Sequence, residues 1–142
     1  MPEAATETLT LLGFDHGRTR IGVAVGSTLT GSARALTTLP AREGQPDWET
    51  VSQLIAEWQP ALLVVGRPRR LDGSDSESTV AAERFARRLE GRYHLPVRRM
   101  DEQLSSHEAE ALLGAEARRD PARIDAEAAR IILQNWLDGQ GD

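Results

Sequence analysis

Hydrophobic positions along the chain follow two rhythms. Leu9, Thr10, Leu11, Leu12 and Phe14 form a short, mostly apolar run, and Ile21, Val23 and Val25 then alternate with Gly22, Ala24 and Gly26. Period-two alternation marks a strand with two unlike faces, here one of large and one of small residues. Gly17 lies between the runs and tolerates the positive φ of a tight turn, so Leu9 to Ser27 predicts a β-hairpin. Ser32 to Leu39 predicts a third strand stopped by Pro40, and Arg42 to Asp47 a Gly/Pro-containing loop. The rhythm then changes: Trp48, Val51, Leu54, Ile55 and Trp58 recur at helical spacing over Asp47 to Gln59, and Pro60 ends the helix. The two tryptophans read as packing residues rather than platforms for bases.

Ala61 to Val65 is wholly apolar and suits a central strand covered on both faces. Gly66 to Thr79 is the longest polar loop, of a length that is usually functional or disordered in small domains. A second helix is predicted over Ser78 to Gly91, with Val80, Ala81, Phe85 and Leu89 inward and Arg84, Arg87 and Arg88 outward. Leu95 to Met100 predicts a strand that runs into Asp101 and Glu102. Ser105 and Glu108 form a capping box for a third helix. Asp120-Pro121 opens the last helix, whose apolar side carries Ile124, Ala128, Ile131, Ile132 and Trp136, to about Leu137. A helix between two strands implies parallel neighbours joined by a right-handed crossover.

Composition narrows the class. A chain of 142 residues predicts one compact domain, over residues 9–138, with flexible tails at 1–8 and 139–142. No apolar run approaches the roughly 20 residues of a membrane span, and the acidic N-terminus lacks the basic region of a signal peptide. With no cysteine, disulfides and thiolate metal sites are excluded. A cytoplasmic protein without membrane partners, monomeric or weakly dimeric, is expected. The net charge of −5 argues against an indiscriminate nucleic-acid coat. All 17 Lys/Arg positions are arginine, the side chain suited to bidentate phosphate contact.

Acidic residues sit at element ends. Asp15 closes the first predicted strand, Asp101-Glu102 the last, and Asp125 lies in the first turns of the final helix, in phase with Ala128, Ala129, Ile132 and Trp136. In α/β sheets ligands bind at the rim formed by strand C-terminal ends. Carboxylates converging there without counter-charges repel one another, and oxygen-seeking Mg²⁺ or Mn²⁺ resolves the conflict. Two such ions about 3.5–4 Å apart are the usual apparatus of phosphodiester hydrolysis. The competing readings are local: Asp15 bonding the amides of Gly17 and Arg18, Asp125 favouring a helix N-terminus, Asp101 capping the next helix, and Glu102 simply exposed. Arg18 and Arg20 beside Asp15, and Arg67, Arg69 and Arg70 after the central strand, are candidate phosphate contacts. The alternative for the last three is a solvated loop balancing Asp72, Asp75 and Glu77.

Four ordered blocks carry a resemblance: GFDHGRTRIGVAVG, VVGRPRRLDGS, FARRLEGRYHLPVRRMDEQLSSHEAE and RIDAEAARIILQNWLD. In order and spacing they resemble the YqgF-type (RuvX) Holliday-junction-resolvase-like proteins, also described as pre-16S rRNA nucleases, from about Leu9 to Leu137. The resemblance implies an RNase H-like α/β fold, a five-stranded mixed sheet flanked by helices. It implies a metal-dependent nuclease maturing the 5′ end of 16S ribosomal RNA precursor, with Mg²⁺ or Mn²⁺ and two ions when substrate is bound. The family's carboxylates fall on Asp15, Glu102 and Asp125. Departures are His16 where the family has an aromatic residue, Arg67-Pro68-Arg69-Arg70 where it has Leu-Pro-Leu-Asn, and Gln103 where it has arginine. Two other functions share the fold: resolution of branched DNA, and a non-catalytic nucleic-acid-binding module. Asp15 to Gly22 also resembles the first phosphate loop of actin-like and sugar-kinase ATPases, which need two such domains around a nucleotide.

Overall fold

The computed structural model describes residues 8–70, 72–102 and 120–140, with Glu102 and Gln140 by backbone alone. The helix expected from Ser105 lies outside the described residues. The elements are β1 (Thr10–Asp15), β2 (Arg20–Ser27), β3 (Ser32–Arg42), β4 (Gln45–Pro46), α1 (Trp48–Trp58), β5 (Leu62–Pro68), α2 (Glu77–Tyr93), β6 (Val97–Glu102) and α3 (Pro121–Gln140).

The strands form one mixed sheet in the order β4-β3-β2-β1-β5-β6. β1, β2 and β3 pair antiparallel, while β5 pairs parallel to both β1 and β6. All five expected strands are present. The sixth, β4, pairs Gln45 and Pro46 with Arg42 and Ala41 in a segment that the sequence reads as loop. β3 does not stop at Pro40. The Ala41 N–H donates to the Thr19 carbonyl, so the residue before it falls at the alternate position, whose nitrogen points away from β2 and owes the ladder no bond.

The two sheet faces are chemically different. Leu12, Phe14, Ile21, Val23, Val25, Leu63, Val65 and Val97 build a core with α1 and α2. Leu11, Ala24, Leu62 and Val64 instead meet Ala129, Ile132, Leu133 and Leu137 of α3. This second face is the small-residue face of β2, and small residues let the helix lie close. A Cβ on Gly13 would sit 2.8 Å from the Leu133 Cβ, and one on Gly22 only 1.9 Å from the Asp125 carbonyl oxygen.

α2 buries Phe85 and Leu89 as the sequence predicts, but its first turn differs. Its N-cap Ser76 and Thr79 exchange capping-box bonds, and the Thr79 hydroxyl turns inward to donate to the Pro68 carbonyl. Thr79, Ala82, Phe85, Ala86 and Leu89 are therefore buried, and Val80, expected inward, is 52% exposed. Trp48 stacks on Phe85 with ring centroids 5.8 Å apart. Arg92 covers Trp48 and Arg34 covers Trp58, so both tryptophans pack, as their spacing predicts. α3 continues to Gln140, past the point where a tail was expected. No helix among the described residues is long and apolar enough to cross a membrane.

Candidate active site

Asp15 and Asp125 are brought together by one register and one missing side chain. The Cα of Asp15 pairs with that of Gly22 across the β1–β2 ladder, and cross-strand partners project to the same face. Gly22 presents no Cβ there, so the α3 backbone at Asp125 occupies that space. The two carboxylates, 110 positions apart in sequence, thus share the α3 side of the sheet at the end of β1. Burial pushes the Asp15 carboxyl up to about 7, and the neighbouring charge of Asp125 pushes it the same way. Among the described residues no hydrogen-bond donor reaches the Asp15 carboxylate, so the turn-amide alternative is not seen.

Asp125 is compensated differently. Arg20, the first residue of β2, donates from Nε to Asp125 Oδ2 at 2.5 Å. The Asp125 side chain is 18% exposed and that of Arg20 46%. Sequence reasoning made Arg20 a candidate phosphate contact and did not find this pairing. The only signal was positional, since Arg20 lies two residues from the glycine on which Asp125 rests.

Glu102 is the last residue of β6, in register with Pro68 and two residues beyond Met100, which packs against the α3 cluster. Asp101, expected near the acids, belongs to the other face. Its Oδ1 accepts from Arg67 Nε at 2.7 Å and lies 3.3 Å from Arg69 Nε. These guanidiniums, the Arg67 hydrogen bond foremost, hold the Asp101 carboxyl below the usual carboxylate range. Asp101 is therefore clamped by arginines, and period-two alternation is the reason it parts from Met100 along β6.

The basic loop is largely self-compensated. Besides Asp101, Arg67 faces Glu83 at 4.0 Å. Arg69 reaches Asp75 at 3.1 Å and the Gly73 carbonyl at 3.0 Å, while the backbone of Arg70 donates to Ser74. Asp75 is one of the acids named in the alternative reading of this loop. Arg18 is exposed and lines a cleft of about 360 Å³ with His16, Glu43, Glu77 and Arg84. His16 fills an aromatic position: its ring lies 4.9 Å from that of Phe85 and its Nε2 is 2.8 Å from the Gly44 carbonyl oxygen. Burial lowers its pKa, with Arg88 adding in the same direction against the Gly44 bond, so the imidazole is neutral at neutral pH.

Among the described residues no group of three His, Asp or Glu side chains gathers as a metal site. What is present is a pair of hard oxygen donors, one of them held partly protonated by burial and by its like-charged partner. That donor set suits a small divalent cation such as Mg²⁺ or Mn²⁺, and no soft ligand stands among the residues named.

The family model described as RuvX, Holliday junction resolvase, matches residues 9–139. Among curated proteins, the chain is 51% identical over 130 residues to "Putative pre-16S rRNA nuclease" of Azotobacter vinelandii, covering 89% of this chain and 92% of that one. It is 50% identical over 132 residues to the protein of the same name from Pseudomonas putida, covering 90% and 94%. Among solved structures it resembles Thermus thermophilus RuvC in complex with a Holliday junction substrate. The TM-score is 0.51 at 18% identity, covering 94% of this chain and 96% of that one. It also resembles the Fowlpox virus resolvase in its complex with Holliday junction DNA, with a TM-score of 0.58 at 5% identity and coverage of 94% and 100%. At these identities the likeness is one of fold: the RNase H-like sheet of the resolvases.

Proposed function

The chain belongs to the RuvX family, and from that premise we propose that it is a metal-dependent nuclease acting in 5′-end maturation of 16S ribosomal RNA precursor. It is a hydrolase of phosphodiester bonds, its partner is nucleic acid, and its work lies in the cytoplasm. The observation that carries this reading is the convergence of Asp15 and Asp125 on one sheet face, with Asp15 raised to about 7. Such a pair is costly to keep without a cation and ready to receive one. The relatives' names supply the substrate.

Asp15, Asp125 and Glu102 are proposed to hold Mg²⁺ or Mn²⁺, two ions with substrate bound. Ions bound there supply Lewis-acid stabilisation of the phosphoryl oxygens and a water of lowered pKa. The chain's own residues do the rest. Asp15 delivers its carboxylate from a rigid strand end, and its proton must leave before it can serve as a ligand. Asp125 is aimed by the helix lodged on Gly22. Arg20, paired to Asp125, and Arg18, in the cleft it lines with His16, Glu77 and Arg84, are the proposed phosphate contacts. Arg67 near the end of β5 and Arg69 and Arg70 just past it are the further proposed phosphate contacts, with Asp101 and Asp75 competing with phosphate for Arg67 and Arg69.

The test is cleavage of 16S precursor RNA and of four-way DNA junctions by purified protein with Mg²⁺ or Mn²⁺, beside Asp15→Asn. Metal-dependent trimming of the RNA that vanishes in the variant is the expected result. Cleavage of junctions alone would reassign the substrate to branched DNA. Binding without cleavage under any metal condition would make the chain a nucleic-acid-binding module.

A further inference from the structure

Arg20 is placed as a competitor for the ligand that the site needs. Its Nε lies 2.5 Å from Asp125 Oδ2, a distance that commits one carboxylate oxygen to a charge-assisted hydrogen bond. A hard divalent cation on that carboxylate needs an oxygen at about 2.0–2.1 Å and would stand only a few ångströms from the guanidinium. Two positive centres so close to one half-buried carboxylate repel each other, and no acidic partner for Arg20 other than Asp125 is seen among the described residues.

The backbone around Arg20 makes exchange feasible. Its Cα is held in the ladder opposite Pro40, and the next residue, Ile21, is fully buried. The side chain itself is nearly half exposed. Thus the guanidinium can leave Asp125 for solvent, or for a substrate phosphate over the acids, without disturbing β2. Arginine suits both duties, because one planar fork fits carboxylate and phosphate alike.

We propose that Arg20 is a placeholder: it occupies Asp125 until a divalent cation arrives, is displaced by the cation, and then turns its charge to the substrate's phosphate. This rests on the metal site of the nuclease reading. A placeholder and a structural clamp that merely aims Asp125 predict opposite signs. Removing a clamp weakens metal binding, whereas removing a placeholder strengthens it.

The experiment is calorimetric titration of Mn²⁺ into wild type, Arg20→Gln and Arg20→Lys at one pH and low salt. A charge-assisted bond between a nearly half-exposed arginine and a more buried carboxylate sets the scale, so Arg20→Gln should bind Mn²⁺ roughly tenfold more tightly. Arg20→Lys keeps the competing charge and should stay within about threefold of wild type. A second measurement needs no variant to fold: the Arg20 Nε–H resonance of the wild-type protein, followed during Mg²⁺ titration. It should shift and lose its protection from solvent exchange as the site fills. Unchanged or weaker Mn²⁺ binding by Arg20→Gln, or an Arg20 resonance that stays put at saturating Mg²⁺, overturns the placeholder and leaves the nuclease reading standing. No uptake of metal by the wild type overturns both.

Discussion

Replacing Asp15 by asparagine should stabilise the protein at alkaline pH and leave it unchanged at acid pH. Burial and Asp125 raise the Asp15 carboxyl from 3.8 to about 7 in the folded chain. An acid whose folded value lies above its unfolded value binds more protons in the native state throughout the window between them. Stability is therefore intact below about pH 3.8, falls as pH rises through the window, and levels off above 7. At 1.36 kcal/mol per unit the full shift is worth about 4 kcal/mol, and residual solvent access to Asp15 brings the expectation to about 2–3 kcal/mol. The assay is urea unfolding of wild type and Asp15→Asn with chelator, at intervals from pH 4 to 8.5. The difference between the two curves isolates Asp15, because His16 works oppositely. Its lowered value makes the wild type gain stability as pH rises towards 6.5. Wild type and variant should coincide at pH 4, and the variant should be more stable by about 2–3 kcal/mol at pH 8.5. A difference independent of pH, or a variant less stable at pH 8.5, would refute the reasoning and make Asp15 a structural partner of a cation. Adding Mg²⁺ should stabilise the wild type by mass action and the variant far less.

Gly22→Ala places a methyl 1.9 Å from the Asp125 carbonyl oxygen. It should cost about 2–3 kcal/mol in chemical denaturation and abolish metal uptake, since α3 must move off β2 and carry Asp125 away from Asp15, which Gly22 faces across the ladder. Arg99→Met should cost about 2–3 kcal/mol near neutral pH, because Arg99 holds both Glu83 at 2.8 Å and Glu90 at 2.9 Å. Both glutamates are depressed, chiefly by their Arg99 hydrogen bonds. Their contribution is present above the ordinary glutamate value of 4.5 and lost as pH falls through the depressed folded values. The variant should thus lose less stability than wild type on acidification, by circular dichroism melts. On single-stranded RNA, Arg18→Ala should make the slope of log K against log salt shallower by about 0.7. The double variant Arg67→Ala, Arg69→Ala should change it by less than about 0.7 rather than the roughly 1.4 of two independent contacts, because Asp101 and Asp75 already hold those charges.

By itself the sequence determined the elements and much of what each face would bury. Period-two alternation in Arg20–Ser27 declared a large and a small face, and helical spacing with Asp47, Pro60 and Pro121 bounded the helices. These are local properties, set by backbone geometry and by caps within a few residues. The sequence also placed acids at element ends, because a strand end is where a carboxylate can leave the core. Tertiary structure decided which of those acids meet. Asp101 and Glu102 are chain neighbours, yet the sheet turns Asp101 to Arg67 and Arg69. Arg20 and Asp125 are 105 positions apart and touch because Gly22 admits α3 to the sheet. Val80 faces solvent while Thr79 takes the inward place in the first turn of α2, its hydroxyl bound to the Pro68 carbonyl. The short β4 formed because Ala41 and Arg42 offered an unpaired edge. Charges and hydrogen bonds are satisfied by whichever partner the register and docking bring within about 3 Å, and no periodicity in the chain encodes that choice.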